Sequence, residues 1–102
     1  MSTEIHSVAI FEPLPGKEEE SLTTIRDLIS ALSAGGYSQD LLYRDRKSER
    51  EYVLIRRWKS EEARRAALED PSVLRCWAKL AHEIRTVRVF ESLEAISTSP
   101  TR

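Results

Sequence analysis

A histidine near the end of the chain, a set of arginines on strand-like stretches and one late tryptophan carry most of the chemical potential of this sequence. His82, next to Glu83 near the end of the last helical stretch, is a candidate general base. An imidazole with an ordinary pKa of about 6.5 can take a proton from a phenol and leave it electron-rich enough to reduce oxygen directly. The plainer account is a helix-end histidine favoured by the helix dipole. Arg56, Arg57, Arg85 and Arg88 fall on strand-like segments. An arginine on a central strand needs a partner, either a carboxylate of a second subunit or an anionic substrate. Of these, Arg88 is the candidate for an oxyanion or substrate-anion role. Trp77 can wall a pocket for a flat ring, or it can be core packing on the stripe Val73, Trp77, Leu80 and Ile84. His6 shares an alternating face with Val8 and Ile10, which suits a subunit interface better than catalysis. Trp58, at a strand end, reads as a structural plug, and Cys76 as a small buried hydrophobe.

Several kinds of chemistry find no support. His6 and His82 are far apart and there is one cysteine, so no metal-ligand spacing arises. No glycine-rich phosphate loop or dinucleotide fingerprint occurs. The expectation is therefore a protein without cofactors. Hydrophobic residues make up 40% of the chain and charged residues 32%, a globular balance. The net charge is −1, so nothing draws the protein toward nucleic acid or anionic lipid. No apolar run approaches the roughly 18 residues of a membrane span. The start, Met1 to Glu4, lacks the basic and apolar regions of a secretion signal. A lone cysteine fits a reducing compartment, and the expected location is cytoplasmic.

The elements that must position these residues are short and well marked. The 102 residues suffice for one domain, expected over 1–96, with a disordered tail at 97–102. Residues 5–11 form a first strand, stopped by Pro13, Pro15 and Gly16. Acidic residues 18–20 open a helix whose Leu22, Ile25, Leu28, Ile29 and Leu32 recur at helical spacing, and Gly35-Gly36 ends it. Residues 37–46 and 51–59 form a hairpin around a charged turn. Ser60 caps the next helix, which offers a small face of Ala63, Ala66, Ala67 and Leu68. Asp70-Pro71 then starts a separate helix, with aspartate as cap and proline in the first turn. Residues 84–90 form the last strand.

This order predicts an α+β, ferredoxin-like βαββαβ sandwich with a four-stranded antiparallel sheet. Helices cover one face of such a sheet. Val8 and Ile10, or Val87 and Val89, then leave the other face apolar and uncovered. A second copy packing sheet on sheet would bury it, so a homodimer through the sheet face is expected.

The run Trp58-Lys59-Ser60-Glu61-Glu62-Ala63, then Leu68-Glu69-Asp70-Pro71 and Trp77, resembles the antibiotic biosynthesis monooxygenase family. Pro15-Gly16-Lys17-Glu18 and the Gly36 turn add to the likeness, which spans residues 5–96. The resemblance implies a dimeric α+β barrel with a cleft between helices and sheet. Activities in the family include cofactor-free oxidation of quinols and anthrones, haem degradation, and isomerisation of small sugars. The chain departs from the pattern at Ala67, where many members carry histidine. Ala9, Ala67 and Trp77 stand where haem-degrading members carry asparagine, tryptophan and histidine, which removes the axial ligand to iron.

The resemblance thus implies a cofactor-independent monooxygenase of a small quinol- or polyketide-like aromatic. Trp77 and Phe11 would line the slot, His82 would be the base, and Arg88 or Tyr52 would steady the oxygen. The alternative is a non-catalytic dimeric module that binds a small molecule or serves in stress response, favoured by Ala67. An RNA-recognition module shares the element order, but residues 51–59 lack its glycine-aromatic run.

Overall fold

The computed structural model describes residues 5–98, and Met1–Glu4 and 99–102 lie outside them. The reading of the first four residues as free of a secretion signal therefore concerns undescribed residues. Of the tail expected to be disordered, only Ser97 and Thr98 are described, and they take no regular structure.

The chain runs β1 (Ile5–Pro13), α1 (Glu18–Ala34), β2 (Ser38–Arg44), β3 (Tyr52–Trp58), α2 (Glu61–Ala67), α3 (Pro71–Leu80) and β4 (Ile84–Leu93). The strands form one antiparallel sheet in the order β2-β3-β1-β4. This is the expected α+β, ferredoxin-like arrangement. Among the described residues, no helix is long and apolar enough to cross a membrane.

Helix α1 forms where its apolar spacing predicts. Ile25, Leu28 and Leu32 are fully buried against the sheet, each worth about 1.5–3 kcal/mol of burial. Its end is a tight reversal. Gly36 sits at φ 71°, a conformation that costs a side chain dearly, while Tyr37 N–H returns to the Leu32 carbonyl at 2.9 Å. That reversal shortens β2 relative to expectation. Tyr37 leaves the strand, and its hydroxyl donates to Asp70 Oδ2 at 2.8 Å. The bond to Tyr37, with backbone donation from Ser72, holds the Asp70 carboxyl below its usual range.

Both predicted helix caps form. Ser60 Oγ accepts from the Ala63 N–H at 3.0 Å, and Asp70 Oδ1 accepts from the Ser72 N–H at 2.8 Å. The small face of α2 is narrower than expected: Ala67 is buried, whereas Leu68 is exposed. Helix α3 ends at Leu80, so Ile84 is the first residue of β4 and not part of the helical stripe.

Strand β4 is longer and less regular than its sequence suggests. Thr86 pairs with Phe11 but Arg88 pairs with Ile10, so Val87 is an extra residue and alternation breaks there. Beyond the break, Val89 pairs with Ala9 on the helix side and Phe90 with Val8 on the outer side. The outer face therefore carries Val8 and Ile10, but not Val89. It also carries Leu41 and Tyr43, which are 57% and 51% exposed.

Candidate functional site

Between the helices and the inner face of the sheet lies a cleft of about 460 Å³. That volume is within the roughly 300–1,000 Å³ of small-molecule sites. Strand alternation builds one wall, because Ala9 and Phe11 of β1 face the helices together with Leu54 and Arg56 of β3. Ile25 of α1 closes the interior. Trp77 and Leu80, one turn apart on α3, form the opposite wall, with Ala81, Ile84 and Thr86 at its edge.

Among the described residues that line this cleft, Arg56 is the one that carries a charge. Its Nε donates to Asp40 Oδ2 at 2.8 Å. The two side chains are 11% and 1% exposed, so this is a buried ion pair. Asp40 lies directly across the β2–β3 ladder from Arg56, and its Oδ1 accepts from Ser38 Oγ at 2.9 Å. The guanidinium also sits 5.3 Å from the centre of the Trp58 ring. Trp58 is fixed in turn: its Nε1 donates to Ser7 Oγ at 3.0 Å, and Ser7 donates to the Glu91 carbonyl at 2.7 Å. These neighbours of Arg56 are thus committed, yet its Nη2 is buried with no hydrogen-bond partner among the described residues. Arg56 lines the apolar cleft, and a rotation of its side chain would bring this orphaned donor to an oxygen of a bound ligand.

The structure brings together part of the set expected from sequence. Trp77 and Phe11 both line the cleft. Tyr52 lies behind Phe11, its ring stacked at 5.8 Å and 16°, and its hydroxyl accepts from Arg44 Nη2 at 3.0 Å. Arg88 is on the other side of the sheet, paired with Ile10 and with its guanidinium 4.6 Å from the Phe90 ring centre. His82 stands exposed in the turn after α3 and is not among the lining residues. Ala67 is fully buried at the end of α2 and does not line the cleft either. Arg85 reaches Glu12 at 2.8 Å within the same chain, on the outer face. His6 is half-buried on that face. Burial, with Asp27 nearby, pushes the Cys76 thiol above its usual pKa, away from nucleophilic use.

Sequence reasoning singled out Arg56 as a strand arginine in need of a partner but assigned no site role to it. The available signal was its place between Leu54 and Trp58 on the buried alternation of β3. Among the described residues, no group of His, Cys, Asp or Glu could hold a metal ion.

A family model described as antibiotic biosynthesis monooxygenase matches residues 5–79. The chain belongs to this family. Among curated proteins, none matches it. Solved structures share the fold of this family member over nearly its whole length. A mutant of SnoaB, a cofactor-independent oxygenase from Streptomyces nogalater, is 23% identical, covering 98% of this chain and 100% of its own, with a TM-score of 0.83. PA3566 from Pseudomonas aeruginosa is 21% identical, covering 95% and 98%, with a TM-score of 0.76. Rv0793 from Mycobacterium tuberculosis is 20% identical, covering 92% and 99%, with a TM-score of 0.73. At these identities the likeness establishes the fold of this monooxygenase-family chain.

Proposed function

We propose that this protein is a cofactor-independent monooxygenase that oxidises a flat quinol- or polyketide-like aromatic in the helix–sheet cleft. The observation that carries the reading is the pairing of an apolar cleft with one buried guanidinium that has an unused donor. Membership of the family and the likeness to SnoaB, described as a cofactor-independent oxygenase, agree with it.

In this account, Trp77 and Phe11 hold the ring flat and keep water from its faces. The substrate supplies all the electrons. A ring CH₂ loses a proton, and the carbanion or enolate passes an electron to dioxygen. The radical pair combines into a peroxide, which takes up the proton and expels water to leave C=O. One oxygen atom thus enters the product and the other leaves as water. Arg56 faces the negative charge that builds on the substrate oxygen and on the peroxide, where a fixed donor in a dry site acts most strongly. Among the described residues, no carboxylate or imidazole lines the cleft, and in this account the proton leaves to water at its mouth.

Oxygen uptake by metal-free protein with an anthrone or a dihydroquinone tests this. The rate should exceed that of buffer alone and should survive His82→Ala within about twofold, since His82 stands outside the cleft. Uptake no faster than buffer across such substrates sinks the reading. The lack of a base in the cleft favours a second reading, a non-catalytic binder of the same ring chemistry, and uptake also separates the two.

The assembly we propose is a homodimer through the outer sheet face. Leu41 and Tyr43 with Val8 and Ile10 form an apolar surface that a lone chain leaves in water. Light scattering at micromolar concentration should give the mass of two chains, and Leu41→Lys with Tyr43→Lys should halve it. The mass of one chain for the unaltered protein contradicts the dimer.

A further inference from the structure

The buried ion pair beside the cleft also bears on what the cleft accepts. We infer that Asp40 sets substrate selectivity: by neutralising Arg56, it makes the cleft select a ring carrying a neutral carbonyl over the same ring carrying a carboxylate. The inference deepens the proposed function and rests on the cleft being the ligand site.

The argument is one of charge balance. A cation in an apolar wall would by itself attract anions strongly. Arg56 is not by itself. Asp40 is 1% exposed and holds Arg56 Nε at 2.8 Å, so the pair presents no net charge. What remains is the hydrogen-bonding capacity of Nη2, which is buried and has no partner among the described residues. A carboxylate entering the cleft would surrender its hydration and leave one uncompensated negative charge among apolar side chains. An amide or ketone carbonyl surrenders much less and still accepts the orphaned N–H.

Other charges nearby do not change the balance. A smaller pocket of about 150 Å³ also contains Ala9, Leu54 and Arg56 among its walls, and it adds Arg64 and Glu91. Arg64 is already engaged by Glu61 at 3.1 Å and by Glu91 at 4.0 Å. Glu83, next to the lining residue Ile84, is engaged by Lys79 at 3.6 Å through Oε2, and among the described residues Arg56 Nη2 is the buried side-chain donor left without a partner. This arrangement suits a substrate that is neutral when it binds and negative only after losing its proton. The enolate or phenolate that follows spreads its charge over the ring, so its burial is less costly than that of a carboxylate. The site then favours the reacting state over a permanently anionic ligand.

Asp40 does not line the cleft and acts through Arg56, so it is a positioning residue. Its replacement by asparagine keeps the shape and an acceptor for Nε but releases the charge of Arg56. The test compares 2-naphthamide with 2-naphthoate at neutral pH, by calorimetry and by quenching of tryptophan fluorescence. The unaltered protein should bind the amide at least about tenfold more tightly than the carboxylate, a difference of one decade in Kd. In Asp40→Asn the carboxylate should gain about tenfold or more, with the amide changing less than about threefold. A purely structural role for Asp40 would weaken both ligands together. Equal or tighter binding of the carboxylate by the unaltered protein overturns the inference while leaving the cleft reading intact. An unchanged ratio in Asp40→Asn overturns it too. Failure of both ligands to bind the unaltered protein overturns the cleft reading and the inference with it. Should Asp40→Asn not fold, the ratio in the unaltered protein decides alone.

Discussion

Arg56→Leu should unfold at a much lower urea concentration than the unaltered protein, with a loss of about 3–5 kcal/mol. The substitution strands Asp40, whose side chain is 1% exposed, without its cation. Ser38 Oγ would remain as a donor to that carboxylate, with no cation opposite it on β3. The double variant Asp40→Asn, Arg56→Leu removes both charges and should recover most of the loss, because an ion pair taken out whole leaves no buried charge behind. The same pair of variants separates folding from chemistry. The folded double variant should still lose about 10²–10³-fold in turnover, the usual effect of deleting one donor to a developing oxyanion. Urea melts followed by circular dichroism, and oxygen uptake at saturating substrate, measure the two effects. A double variant as unstable as Arg56→Leu would show that the pair is not isolated in the way its geometry indicates. Full turnover in the double variant would remove Arg56 from the chemistry.

Phe11→Ala should cost a further, independent amount of about 3–5 kcal/mol. Phe11 is 2% exposed, stacks on Tyr52 at 5.8 Å and forms part of the cleft wall. Removing its ring deletes that stack and joins new empty volume to the existing cleft, which the rigid strands on both sides cannot close. Phe11→Leu should cost clearly less, since it refills most of the space. Binding of a flat aromatic should weaken in the alanine variant even under conditions where it remains folded. The check is the urea midpoint of both variants beside a binding curve. A loss under about 1 kcal/mol for alanine would mean that the wall collapses onto Tyr52 and that the cleft is not held open by its frame.

These two residues show what the sequence reveals and what it hides. Phe11 and Trp77 were legible because their surroundings are local. One alternates along β1 and the other repeats with Val73 and Leu80 along α3. The caps at Ser60 and Asp70 and the reversal at Gly36 were legible for the same reason, since each depends on a few adjacent residues. The Asp40–Arg56 pair depends instead on hairpin register, which places residue 40 directly across from residue 56. A shift of one residue would place the two side chains on opposite faces of the sheet. No spacing in the sequence states that register.

The placement of Arg88 and His82 was hidden by irregularities. Val87 is an extra residue in the β1–β4 ladder, so the faces of β4 cannot be read by counting alternate positions. Arg88 consequently lies on the outer side, over Phe90. Helix α3 stops at Leu80, and the turn that follows turns His82 outward. A helix continued to residue 84 would have kept His82 on its surface, beside the stripe that carries Trp77. The element types were thus clear from composition and period, whereas the side chains that meet in the cleft depended on a strand register and one extra strand residue.

The most direct test of the central claim is the fate of labelled dioxygen. Metal-free protein is mixed with an anthrone under ¹⁸O₂, and the product is analysed by mass spectrometry. The account predicts one ¹⁸O atom in each product molecule, formed faster than in buffer and more slowly in the Asp40→Asn, Arg56→Leu variant. Product that forms only at the buffer rate, or that carries oxygen from water when exchange is controlled for, contradicts it.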